Sequence, residues 1–160
     1  MILLGLRPGP DVDYNLGVAL VAMDRGEEAA RHFRAALRED PVLAEAHYQL
    51  GLLADDAGRL TEAEGRYAET LRLAPDHVAA HRRLGLVFAR TERLEPAAAQ
   101  FRAVIRLQPA DAEAQANLGN VLLLQGHPRE AIACYEEALR LRPDDPRMRE
   151  NLQLARDALR

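Results

Sequence analysis

The sequence predicts an all-α protein, a solenoid of four helix pairs followed by a C-terminal capping helix. Two observations lead to this prediction: residue columns that recur every 34 residues, and amphipathic helical spacing within each period. A chain in which one unit recurs at a fixed period forms a linear stack, in which each unit contacts mainly its neighbours. The recurring residues are Leu16-Gly17, Leu50-Gly51, Leu84-Gly85 and Leu118-Gly119; Ala29, Ala63, Ala97 and Ala131; Phe33, Tyr67, Phe101 and Tyr135; and Pro41, Pro75, Pro109 and Pro143.

Each column has a physical reason. Glycine lacks Cβ, so two helices can approach closely at the Leu-Gly pair; the packing gained must offset a helix-propensity cost of about 1 kcal/mol. The small alanine has the same role on the second helix, and we expect the aromatic to fill the space between successive pairs. Proline cannot continue a helix interior, so it ends the second helix of each pair.

The columns divide the chain into a leader (1–9), four repeats (10–43, 44–77, 78–111 and 112–145) and a C-terminal helix (146–160). The predicted helices are 11–24, 27–39, 42–57, 60–73, 76–90, 94–107, 110–124 and 128–141. Asp145 is the expected N-cap of the last helix, with Pro146 at its first position. That helix has no second partner, so we expect it to cap the stack with a polar outer face.

These columns resemble the tetratricopeptide repeat, a helix–turn–helix of 34 residues. The resemblance covers 10–145 and implies a right-handed α-solenoid whose first helices line a concave face. The chain departs from the family pattern at the tryptophan column and at a column where small alanine is usual. The residues at these departures are Asp13, His47, His81 and Gln115, and Thr70 and Val104.

Candidate binding residues lie on the first helices, where positions three to four apart share one face. Repeat position six holds Asn15, Gln49, Arg83, Asn117 and Asn151; position nine holds Val18, Leu52, Leu86, Asn120 and Leu154; position five holds Tyr14, Tyr48 and Arg82. An amide side chain offers donors and an acceptor together, so a ladder of amides can bind the backbone of an extended peptide. Asparagine ladders of this kind occur in some long tetratricopeptide superhelices, so the resemblance implies a peptide-binding role for these amides.

A second interpretation of the same residues is internal. The amides then hydrogen-bond within the stack, the aliphatic residues are covered by the adjacent unit, and the tyrosines pack across unit boundaries. Sequence alone leaves both interpretations open.

Catalytic, metal and cofactor sites are not expected. The chain has no glycine-rich phosphate loop and no nucleophile–base pair, and its single cysteine, Cys134, falls beside the aromatic column, where it is a packing residue. His47 and His81 share a column but lack further metal ligands. The net charge of −4 argues against nucleic acid, and no apolar run is long enough to span a membrane, so we expect a cytoplasmic protein.

The predicted function is therefore non-catalytic: a protein–protein interaction module that holds a peptide or partner helix in the concave groove. Two alternatives remain open at this level. The chain is the interaction arm of a larger multidomain enzyme or assembly factor, or it is an architectural scaffold that self-associates through its uncapped N-terminal unit.

Overall fold

A computed structural model describes residues 9–160, and between these residues all regular structure is α-helical. The predicted all-α class is confirmed. The helices are α1 (Pro10–Ala22), α2 (Gly26–Glu39), α3 (Ala44–Asp56), α4 (Leu60–Leu73), α5 (Val78–Arg90), α6 (Leu94–Leu107), α7 (Ala112–Leu124), α8 (Pro128–Leu141) and α9 (Pro146–Asp157). Of the predicted leader, residues 1–8 lie outside the described residues, and Gly9 occupies the N-cap position of α1.

The chain forms two compact units. The first ends at Pro75 and contains α1 to α4; the second runs from Asp76 to Arg160 and contains α5 to α9.

Three first helices begin two residues later than predicted. Pro41, Pro75 and Pro109 each open a short turn, so α3, α5 and α7 start three residues after the proline. The N-cap position explains the shift in α5 and α7. The Nδ1 atom of His77 accepts a hydrogen bond from the backbone of Ala80, and the Asp111 carboxylate accepts one from Ala114. These contacts satisfy backbone donors that have no partner inside the helix.

In the first unit, α1 packs on α2, α3 packs on α4, and α2 packs on α3. A Cβ atom built on Gly17 would lie 2.5 Å from the Phe33 ring, and one on Gly51 would lie 2.6 Å from the Tyr67 ring. The predicted role of these glycines in close helix approach therefore has a specific cause, an aromatic ring lying directly on the glycine.

The second unit repeats this arrangement: α5 packs on α6, α7 on α8, α6 on α7, and α8 on α9. Phe101 lies on Gly85, and Tyr135 lies on Gly119. The aromatic side chain was expected only between successive pairs, and this expectation is incomplete because each ring first closes its own pair. Phe33 fulfils both roles, since it also belongs to a buried cluster with Leu50 of the next pair.

Polar pairs replace the tryptophan of the family pattern. His32 Nδ1 lies 2.7 Å from Asp13 Oδ1, His47 Nδ1 lies 3.3 Å from an Arg66 nitrogen, and His81 Nδ1 lies 2.7 Å from Gln100 Oε1. Each pair joins the first and second helices of a single repeat. At Asp13, His47 and His81, the departure from the family pattern is therefore compensated by a hydrogen bond between the two helices of the same pair.

The helix α9 has the features of a stack end. Its N-cap, Asp145, accepts hydrogen bonds from the backbone of Arg147 and Met148, as the sequence predicts. Met148, Leu152 and Ala155 are buried, whereas Arg149, Gln153, Arg156 and Arg160 are exposed.

Candidate peptide-binding surface

Three of the predicted amides meet in the second unit. Asn117 and Asn120 on α7 and Asn151 on α9 line an open cavity of about 100 Å³. Asn120 is exposed, and the other two are half-buried. The cavity is also lined by Glu113, Ala116, Arg147 and Met148.

The amides of this cavity differ in how they are bonded. The Tyr135 hydroxyl donates a hydrogen bond of 2.7 Å to Asn120 Oδ1, and Asn151 Nδ2 donates one of 3.0 Å to the same oxygen. Both hydrogen bonds of the Asn120 oxygen are therefore made within the fold. The side chain of Asn117 makes no hydrogen bond to any residue between 9 and 160. Its donors and its acceptor are available at the cavity wall.

The hydroxyl of Tyr135 connects this cavity to the interior of the fold. Burial raises the pKa of Tyr135 to about 12, and the neighbouring Cys134 acts in the same direction. In the unfolded chain a tyrosine ionises near its ordinary value of about 10. A raised folded-state pKa contributes stability that is fully present below about pH 10 and is lost as the pH rises from about 10 to about 12.

This shift gives a direct titration test. Tyr135 is expected to form tyrosinate about two pH units above the ordinary value, and Tyr135→Phe is expected to remove the absorbance of one tyrosinate from that part of the titration. The same experiment with Tyr48→Phe is the control, because this variant retains Tyr135. An unchanged absorbance step near pH 12 in Tyr135→Phe would contradict the assignment.

The remaining candidates in this unit lie on α5. Arg82 forms an ion pair with Asp111, the residue that caps α7, and both line an open cavity of about 490 Å³ together with Arg142. Arg83 and Leu86 are half-buried on the same helix. Much of the positive charge of Arg82 is thus balanced within the fold.

The first unit carries the other six candidates. Burial, with a smaller effect of Glu45, raises the pKa of the Tyr14 phenol, and the Gln49 side chain acts in the opposite direction. The Tyr14 ring lies 5.7 Å from that of Phe33, and the Tyr48 ring lies 5.9 Å from that of Tyr67, measured between centroids. Each of these two tyrosine rings therefore packs partly against another aromatic ring of the fold. Asn15 and Val18 are exposed, and Leu52 is half-buried.

Sequence reasoning omitted four side chains that line the amide cavity: Glu113, Ala116, Arg147 and Met148. The signal for two of them was present. Glu113 and Arg147 both stand at repeat position two, which shares a helix face with positions six and nine. Their opposite charges make the cavity wall nearly neutral.

Three further observations on residues 9–160 concern thiol chemistry, metal binding and membrane crossing. Burial raises the pKa of the Cys134 thiol, although nearby Arg102 acts in the opposite direction, so the sulfur is held in its less nucleophilic form. Within residues 9–160 no group of histidine, cysteine and acidic side chains is arranged to hold a metal ion. Among the helices described, none is long and apolar enough to cross a membrane.

The fold defines the class of protein, an α-helical repeat protein of the solenoid class. Sequence profiles of the tetratricopeptide repeat match residues 14–66, 48–112 and 112–145. The chain belongs to the tetratricopeptide repeat family, as the resemblance predicted. None of the curated proteins matches the chain.

Solved structures with the same fold include MamA and Cut9. A MamA crystal structure shares 22% identity, with a TM-score of 0.88 over 93% of this chain and 81% of that one. MamA from Desulfovibrio magneticus RS-1 shares 22% identity and a TM-score of 0.82, over 94% and 90% of the two chains. A chain of the APC/C hetero-tetramer Cut9–Hcn1 shares 17% identity and a TM-score of 0.79, over 92% of this chain and 30% of that one. At these identities the likeness establishes the fold.

Proposed function

We propose that this chain is a non-catalytic interaction module that binds an extended peptide or helix of another protein along its first helices. The observation that carries the proposal is the cavity formed by Asn117, Asn120 and Asn151, in which an unbonded amide stands beside two bonded ones. We place this binding in the cytoplasm, where the single cysteine stays reduced.

The hydrogen-bonding groups at the cavity match a peptide backbone. Asn120 Oδ1 already accepts two hydrogen bonds, so Asn120 offers its N–H groups to a ligand. Asn151 uses its Nδ2 internally and offers its oxygen. Asn117 offers both kinds of group. A peptide unit needs one donor and one acceptor, and this trio supplies them without selecting a side chain.

Charge in the cavity supports a neutral ligand segment. Glu113 and Arg147 face the cavity from two different helices, and Arg147 lies 3.7 Å from Asp145. A ligand with strong net charge would gain from one of these groups and be repelled by another. The cavity is better suited to backbone amides than to a phosphate or a cluster of acidic side chains.

Selectivity for apolar side chains would come from the aliphatic column. Val18 is exposed and Leu52 half-buried in the first unit, and Leu86 is half-buried in the second, so each unit by itself retains apolar surface for a ligand. Burial of apolar area contributes roughly 25 cal/mol per Å², and a few such contacts favour a hydrophobic peptide over a polar one.

Peptide selection tests the proposal. The full chain is used to select binders from a displayed library of random peptides, and Asn117→Ala is expected to weaken the selected peptides about three- to tenfold. This change leaves the fold intact because the Asn117 side chain has no hydrogen-bond partner between residues 9 and 160. Affinity is measured by fluorescence anisotropy.

The matched control is Gln153→Ala, which removes an exposed amide from α9 outside the cavity. It is expected to leave affinity unchanged. Asn120→Ala is a poorer probe, since it also removes the acceptor of the Tyr135 hydroxyl and destabilises the fold. Selected peptides that bind equally to the wild type and to Asn117→Ala would show that the proposed cavity is not the binding site.

A further inference from the structure

An apolar stripe along α1 and its C-cap is not covered by any residue between 9 and 160. It consists of Val12, Leu16, Ala19 and Met23, all exposed. Their spacing of four, three and four residues places them on one face of the helix. The exposed fractions of Val12, Leu16 and Met23 are 50%, 43% and 62%. Side chains of this type at this spacing are normally covered in a folded protein.

The positions of Val12 and Leu16 are buried in later repeats. Leu50, Leu118 and Leu152 stand at the position of Leu16, and their exposed fractions are 2%, 7% and 9%. Ala46, Ala114 and Met148, which correspond to Val12, are likewise buried. The centre of the stripe is therefore a regular contact surface of the repeat, and no residue between 9 and 160 makes this contact with α1.

The structure also shows what covers this surface elsewhere. In each case it is the second helix of the preceding pair. Ala30 and Phe33 of α2 form a buried cluster with Leu50, and Ala138 of α8 forms one with Met148. The helix α6 packs on α7 in the same order.

We propose that the α1 stripe binds an amphipathic α-helix of a partner protein, which continues the α2–α3 type of interface by one period. The seam of that helix carries small residues and one aromatic residue, as α2 does. Because exposed Asp11 and Asp24 stand at the two ends of α1, the partner helix is expected to carry arginine near its ends. The helices α2, α6 and α8 each have arginine in their last turn. This surface is separate from the amide cavity, so the inference stands independently of the proposed peptide binding.

A partner protein fits this surface better than a second copy of the chain. A second copy that used its own α1 would meet this surface with a helix that carries Asp11 and Asp24 at its ends. Like charges would then face each other, which opposes the contact, whereas a partner helix with arginine near its ends complements them.

The probe is a helix taken from the chain itself. A synthetic peptide of residues 93–108 contains α6, and a covalent link between positions 102 and 106 holds it helical. Isolated helices of this length are otherwise marginal in water. Arg102 and Arg106 are exposed in the fold, so the link leaves the seam with Ala98 and Phe101 intact.

We expect the full chain to bind this peptide with a dissociation constant on the order of 10–100 µM. Leu16→Asp is expected to weaken binding by at least about tenfold, because it places a charge at the centre of the stripe. The matched control is Leu154→Asp, which alters another exposed leucine, on α9, and is expected to have no effect. Asn117→Ala is likewise expected to leave this binding unchanged. Circular dichroism of each variant verifies its folding, and Val12→Asp serves as a second variant at the stripe.

Three results would overturn the proposal. The first is the absence of saturable binding by the linked helical peptide, and the second is equal binding to the wild type and to the folded Leu16→Asp and Val12→Asp variants. The third is a concentration-dependent dimer in analytical ultracentrifugation that Leu16→Asp abolishes, which would assign the stripe to a second copy of the chain.

Discussion

Replacing Phe101 with alanine is expected to lower the free energy of unfolding by about 3–5 kcal/mol, the usual cost of removing a buried aromatic side chain. The Phe101 ring is almost fully buried and lies on Gly85, so no neighbouring side chain on α5 at that point can fill the space. The loss is a large fraction of the 5–15 kcal/mol by which ordinary domains are stable.

Urea denaturation followed by far-ultraviolet circular dichroism measures this change. Leu154→Ala is the control, since Leu154 is an exposed apolar residue, and its replacement is expected to change stability by less than about 0.5 kcal/mol. A decrease below about 1 kcal/mol for Phe101→Ala would mean that the aromatic column contributes little to holding the helix pairs together.

The glycine column gives the second large effect. Gly51→Ala is expected to destabilise the protein although alanine is the better helix former. The new Cβ would lie 2.6 Å from a ring carbon of Tyr67, which is fully buried and cannot move aside. Overpacking costs about 1–3 kcal/mol, and the gain in helix propensity offsets about 1 kcal/mol of it.

The same substitution elsewhere in the first unit provides a control of opposite sign. Gly65 is exposed on α4, and a Cβ built there has no neighbour within 4 Å. Gly65→Ala is therefore expected to raise the melting temperature, because only the propensity gain remains. If both substitutions raise the melting temperature, close packing is not the reason for glycine at position 51.

The repeat period in the sequence predicts which helices pair with each other. A glycine that recurs with an aromatic residue one helix later specifies which two helices must touch, and the contacts of Gly17 with Phe33 and of Gly119 with Tyr135 follow from that pattern. Second helices such as Leu60–Leu73 and Leu94–Leu107 match their predicted bounds, because a proline shortly after each one marks its end.

Other features depend on contacts that no period encodes. The start of α7 is set by the Asp111 carboxylate. The prediction, which relied on the proline of the preceding turn, placed this start two residues too early. The sequence offered both Asn117 and Asn120 as candidate binding residues, at repeat positions six and nine. They differ because the Tyr135 hydroxyl, on another helix, reaches only Asn120. Whether an amide is bonded or available depends on such distances, which the linear pattern does not contain.

The polar pairs beside the Leu-Gly positions have a consequence for how such a chain changes in length. Asp13 pairs with His32, and His81 pairs with Gln100, so each partnership begins and ends within one repeat. Duplication or deletion of one whole repeat would keep these polar pairs intact. Exchange of single helices between repeats would instead place His47 opposite His32, two like groups with no arginine between them. A change in length by complete hairpins is therefore expected to preserve the pairs, whereas a break inside a hairpin would separate them.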